Sequence, residues 1–448
     1  MERNAVMVAT DTLQEKQILR QIAHPLTTPD DLDPLIDRIG DARFVLLGEA
    51  SHGTSEYYQW RARISQRLIQ EKDFTMIAVE GDWPDCYRIN RYIKNYEQSG
   101  DSAWKVLHQF SRWPTWMWAN WEIAAFVEWL RRHNDTLPVQ RKVGFYGLDV
   151  YSLWESLGEV TRYLEHNMPD NVHAAYRAYR CFQPYGEDPH TYAYATADPM
   201  VADSCETEVL DLLFHMQRNA GAGSSVYDGD SEAHFNAEQN AYVALNAEHY
   251  YRTMIQGNAK SWNIRDHHMV DTLNRLVAHY GDATKVIIWQ HNTHIGDARA
   301  TPMADAGMVN VGQLVRDEWK DEGVVLVGFG AYRGSVIAGS RWDAPMERMP
   351  VPEAQPESWE GLLHDALGQD SLLIFSESSQ AHRLLQRTRG HRAIGVVYNP
   401  ERERGNFVPT AFSRRYDAFI YLEDSHALHP LHIDTAAAEP PDTYPWGV

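Results

Sequence analysis

Continuous apolar runs that stop abruptly in polar residues recur along the chain. Phe44 to Leu47, Met76 to Val79, Val143 to Tyr146, Val286 to Trp289, Val324 to Phe329, Ala393 to Val397 and Ala418 to Tyr421 each read as a strand buried on both faces. Helix-period stretches lie between them, so the pattern predicts an α/β fold with a mainly parallel β-sheet flanked by helices. Residues 153–282 hold no comparable run. Apolar and aromatic positions there recur every three or four residues, as in Ala237 to Tyr251, which predicts a large helical insertion within a single domain spanning residues 1–448. The insertion is placed to act as a lid, moving at Gly223 and Gly257. Gly221 to Ser225 reads as a loop, Pro184 to Pro199 as irregular, and Glu439 to Asp442 as part of a tail.

The strand ends carry the chemistry. Leu47 is followed by Gly48-Glu49-Ala50-Ser51-His52-Gly53, Val79 by Glu80-Gly81-Asp82-Trp83, Tyr146 by Gly147-Leu148-Asp149, and Trp289 by Gln290-His291-Asn292-Thr293-His294. In open α/β sheets the ligand crevice lies beyond the carboxyl ends of the strands, so Glu49, His52, Glu80, Asp149, His291 and His294 are expected at one crevice. A lone carboxylate such as Asp149 reads equally well as a helix cap. Several carboxylates together repel unless a cation intervenes, and Arg61 and Arg265 are the candidates to neutralise them and to clamp a substrate oxygen.

A histidine held by a carboxylate can take a proton from water, while a second His or an Arg stabilises the oxyanion on an attacked carbonyl. That combination predicts hydrolysis by an activated water. There is no Gly-x-Ser-x-Gly elbow, Ser51 adjoins His52 too closely to face it, and no phosphate-cradling glycine motif follows a strand. Glu49 with His52, and His291 with His294, also stand at spacings that suit zinc, manganese or iron, so a divalent metal stays an alternative to the cofactor-free, metal-free site expected here.

Composition narrows the partners. Among 448 residues, 44% hydrophobic, the formal charge is −21; the pI near 5.4 leaves no basic stripe to release counterions from a nucleic acid. No apolar stretch is long enough to span a bilayer, and the amino-terminal residues show no signal-peptide pattern, so a cytoplasmic protein without nucleic-acid or membrane partners is expected, as monomer or homodimer. Cys86, Cys181 and Cys205, odd in number and without a C-x-x-C pair, read as buried free thiols. Trp113, Trp116 and Trp118 cluster around Pro114, where indole faces could line a cleft for a large ligand, whereas Trp121 and Trp129 read as core.

These motifs resemble the erythromycin esterase family. Gly48 to Thr54 is similar to that family's first active-site signature, Glu80 with Trp83 to its second, Ser261-Trp262-Asn263-Ile264-Arg265-Asp266 to its arginine segment and His291 to Arg299 to its paired-histidine segment. The resemblance implies an erythromycin esterase-like, ChaN-like α/β core and opening of a macrolide lactone by water without a covalent enzyme intermediate. On that model His52 is the general base, Glu49 and Glu80 orient it or the water, and Arg265, His291 and His294 bind or polarise the ester, with Trp83 beside the substrate. The expected partner is a small-molecule ester or lactone. A metal-dependent hydrolase of another bond and a non-catalytic ligand- or iron-binding protein are the alternatives.

Overall fold

Phe44–Leu47 is four consecutive apolar residues, all buried, as a strand between two helical layers requires. Alternate side chains go to opposite faces: Val45, Leu47, Ile77, Val79, Ile287 and Trp289 join one hydrophobic core. Phe44, Leu46, Met76, Ala78, Val286 and Ile288 join a second core on the other face. The computed structural model describes residues 2–197, 203–218, 229–255, 258–376 and 380–432.

The strands are β1 (Ala23–Pro25), β2 (Phe44–Leu47), β3 (Met76–Asp82), β4 (Gly144–Asp149), β5 (Val286–Trp289), β6 (Val324–Gly339), β7 (Met346–Val351), β8 (Ser371–Ile374), β9 (Thr388–Arg392), β10 (Phe407–Ala411) and β11 (Ala418–Ser425). Nine form one sheet in the order β1-β8-β11-β6-β2-β5-β3-β4, with β7 on the far part of β6, while β9 and β10 pair separately. From β11 to β4 every pairing is parallel. The chain leaves β2 for β3 and β4 on one side, returns through β5, and continues to β6 on the other. Winding therefore reverses around β2 and β5, which is where such a sheet opens a crevice.

Six of the seven expected strands are present. Ala393 to Val397 is not one: it makes only single bridges, Ile394 to Ser51 and Val397 to Gly339. It crosses beyond the end of β2 rather than beside it, and becomes cleft wall.

Residues 153–280 carry the helices Leu153–Asn167, Val172–Phe182, Pro189–Thr196, Glu206–Arg218, Ala233–Met254 and Asn258–Tyr280. Most of the first five pack around a third core of their own. The stretch expected to be irregular thus contains a helix, with Pro189 at its first turn and Asp188 capping it. Gly223, Gly257, Pro199, Gly221 to Ser225 and Glu439 to Asp442 lie outside the described residues.

The reading of three free thiols is corrected. Cys181 and Cys205 form a disulfide across a sequence separation of 24, with Cα atoms 5.8 Å apart. Helix packing brings them together, which no short-range spacing could reveal. Cys86 is free and buried. Among the described residues no helix is long and apolar enough to cross a membrane.

Candidate functional site

The neighbours β2, β5, β3 and β4 deliver their polar ends side by side. Glu49 and His52 follow β2, His291 and His294 follow β5, Glu80 lies in β3 and Asp149 ends β4. The two loops approach so closely that only glycine fits at position 48, where a Cβ would sit 2.1 Å from Asn292 Oδ1. The Asn292 N–H donates to the Glu49 carbonyl at 2.8 Å, tying the loops together.

Arg265, on helix Asn258–Tyr280, is the electrostatic centre. Its Nε donates to Asp149 Oδ1 at 2.9 Å, its NH2 to Asp149 Oδ2 and Glu80 Oε1, each at 2.7 Å, and its NH1 lies 3.0 Å from His294 Nε2. Asp149 therefore binds the arginine, while Ser152 stands at the N-cap of the helix Leu153–Asn167. The second oxygen of Glu80 accepts the His291 backbone N–H at 2.8 Å.

The histidines hold distinct states. His52 Nδ1 is 2.9 Å from Glu49 Oε1, and Arg61 donates to Glu49 Oε2 at 2.6 Å. Burial pulls the His52 imidazole down, but the bond to Glu49 and the charges of Glu80 and Glu49 outweigh it, so its pKa is raised. With Nδ1–H given to Glu49, Nε2 is the basic nitrogen. His291 is the opposite: burial and then the neighbouring His52 push it well below the ordinary value. Its Nδ1 accepts the Thr293 N–H, which places its proton on Nε2. That buried Nε2 has no partner among the described residues. The two rings lie with centroids 4.9 Å apart, tilted by 43°.

His52, His291, His294, Arg265, Glu80 and Asp149 all line one cavity of about 400 Å³, whose walls include Trp113, Trp118, Tyr151, Trp262 and Val396. Glu49 stands behind His52 rather than in the cavity wall, and three further expected site residues are elsewhere. Arg61 is fully buried behind Glu49, between the rings of Tyr58 and Trp289, and cannot clamp a substrate. Trp83 is core, donating to Asn236 and packing on Tyr87 and Tyr146. Trp116, 1% exposed, packs edge-on against Trp113 and lies outside the lining.

Other contributors were not singled out from sequence. Asp266, next to Arg265, takes His294 Nδ1 at 2.9 Å, and Trp262 stacks on the His294 ring at 4.6 Å. Both sit inside the arginine segment, where a carboxylate adjoining the arginine was the available signal. Arg112 pairs with Asp82 and lies over Tyr151. Asp85, also lining the cavity, is lifted by burial to about 7.

A metal does not suit this arrangement. The carboxylates of Glu49, Glu80 and Asp149 accept from arginines, His52 and a backbone N–H, and His294 Nε2 faces the Arg265 guanidinium. Among the described residues no three or more His, Cys, Asp or Glu side chains are grouped to hold an ion.

Comparison with known proteins agrees with the motifs. An Escherichia coli erythromycin esterase type II is 30% identical over 138 residues, 31% of this chain and 30% of that relative's length. Three solved structures share the fold. A succinoglycan biosynthesis protein has a TM-score of 0.74 at 20% identity over 93% of this chain and 98% of its own. A Bacillus cereus protein has 0.76 at 19% over 94% and 99%. A mutant of the erythromycin esterase EreC in its open conformation has 0.64 at 16% over 90% and 97%. The family model described as erythromycin esterase matches residues 69–425, and the chain belongs to the erythromycin esterase family.

Proposed function

We propose that the protein hydrolyses a bulky carboxylic ester, macrolide lactones being the class to try first, by direct attack of a water activated at His52 and without a divalent metal. The observation that carries this reading is the close pair of imidazoles in one cavity: a basic nitrogen on His52, Nε2, beside a ring whose Nε2–H is unpartnered, that of His291. His52 takes a proton from water, and the imidazolium is stabilised by Glu49, itself held by Arg61. The hydroxide adds to the ester carbonyl. His291 Nε2–H and the remaining N–H of Arg265 NH1 donate to the oxyanion. On collapse the C–O bond to the alcohol breaks, and His52 returns its proton to the departing alkoxide, giving acid and alcohol. Glu80 holds Arg265 and the His291 backbone in register.

Cleft size supports a bulky substrate. Beyond the shared walls Arg112, Trp113, Tyr151 and Trp342, the catalytic cavity adjoins a second chamber of about 760 Å³, in the range of ligand pockets for large molecules.

The test is incubation of chelator-treated protein with macrolides of different ring size and with simple esters, read by mass spectrometry for gain of one water. Product from wild type and none from His52→Ala is expected. Product from both proteins would remove His52 as the base; turnover only after zinc or manganese is added would replace the metal-free reading; and no product from any ester would overturn the reaction class.

A further inference from the structure

We propose that Asp266 is a positioning residue that fixes the tautomer of His294 and thereby aims Arg265 at the substrate; its consequence for turnover rests on the ester-hydrolase reading. An arginine has five N–H donors. In Arg265 one goes to Asp149 from Nε, two from NH2 reach Asp149 and Glu80, and one from NH1 meets His294 Nε2 at 3.0 Å. A single donor is left, on NH1, and its direction is set by the other four.

The bond to His294 exists only while His294 Nε2 carries no proton. Asp266 enforces that state: its carboxylate oxygens lie 2.9 and 3.1 Å from Nδ1 and draw the proton there. The carboxylate is fully buried, and the Val311 N–H donates to Oδ1 at 3.0 Å, so it is presented as an acceptor. Trp262, parallel to the imidazole within 4°, fixes the plane of the ring. In the other tautomer Nε2–H would oppose the Arg265 N–H and turn to Glu80 Oε1, 3.5 Å away, competing for an oxygen the arginine uses. Asp266 thus acts through His294 on the donor that meets the ester oxygen.

Nitrogen NMR of histidine-labelled protein reads the His294 tautomer without any substrate. Wild type is expected to carry the His294 proton on Nδ1, and Asp266→Asn and Asp266→Ala to move it, wholly or in part, to Nε2. In the same variants kcat should fall at least about 10-fold, as for other residues that orient an active-site group, with KM and the pH midpoint assigned to His52 little changed. A thermal midpoint checks that each variant is folded; should one fail to fold, the other decides. A proton on Nε2 in wild type, or an unchanged tautomer in a folded variant, overturns the proposal even if hydrolysis is confirmed. If no ester is hydrolysed, the tautomer measurement still decides the role of Asp266, while the ester reading falls separately.

Discussion

His52 and His291 are the same side chain in the same cavity, driven apart by their neighbours. His52 has a carboxylate on Nδ1 and is raised; His291 has a backbone N–H on Nδ1 and is lowered by burial and by His52. Such divergence separates a base from a neutral donor. It carries a prediction whose sign is fixed. A base works only when deprotonated, and the His52 pKa is raised, so kcat/KM should fall as pH drops through a value above the ordinary 6.5 for imidazole. A pH–rate profile of an active ester checks this. A midpoint at or below 6.5 would mean that Glu49 does not hold His52 as described. His291 adds no limb in this range, because it is neutral throughout.

At the scale of elements, what could be read from sequence was what local pattern encodes. β2 and β5 agree with their apolar runs to the residue, because burial on both faces leaves no other pattern. β1 has three residues, β7 contains Pro350, and β9 is Thr-Arg-Gly-His-Arg, so none of these carries an apolar signature. The strand-end residues were legible for the same reason as the strands. Partners supplied by a distant segment were not: Arg61, read as a neutralising cation, does pair with Glu49, but nothing local says that its burial keeps it from the substrate or that Asp266 meets His294. The tryptophans make the distinction measurable. Trp113 lines the cavity with its Nε1 on the Ala344 carbonyl, whereas Trp116 is buried beneath it. Trp113→Ala should raise KM for a bulky ester several-fold with a modest loss of stability. Trp116→Ala should cost about 3–5 kcal/mol of stability by opening a cavity in the core. Parallel denaturant and kinetic titrations test the pair, and a larger effect of Trp116 on KM than on stability would return it to the cleft.

At the scale of the molecule, the sheet is packed on both faces, with the helix Asn258–Tyr280 joining one of those cores, while most of the five helices before it are built around a separate core. That core is the smallest of the three and mixes alanine and aromatic side chains with leucine, valine and methionine, and the Cys181–Cys205 bond lies within it, joining the end of the helix Val172–Phe182 to the start of Glu206–Arg218. A crosslink spanning 24 residues restricts the unfolded chain and is expected to contribute about 3 kcal/mol. Neither cysteine lines the catalytic cavity. The double variant Cys181→Ser, Cys205→Ser should therefore unfold at lower urea than wild type, while turnover of a small ester by the folded protein stays the same. Thiol titration of unreduced, denatured wild type should find one reactive group, Cys86, and three after reduction. Three before reduction would show that the bond does not form. The helices would then rest on packing alone, and the urea midpoints of wild type and double variant should coincide.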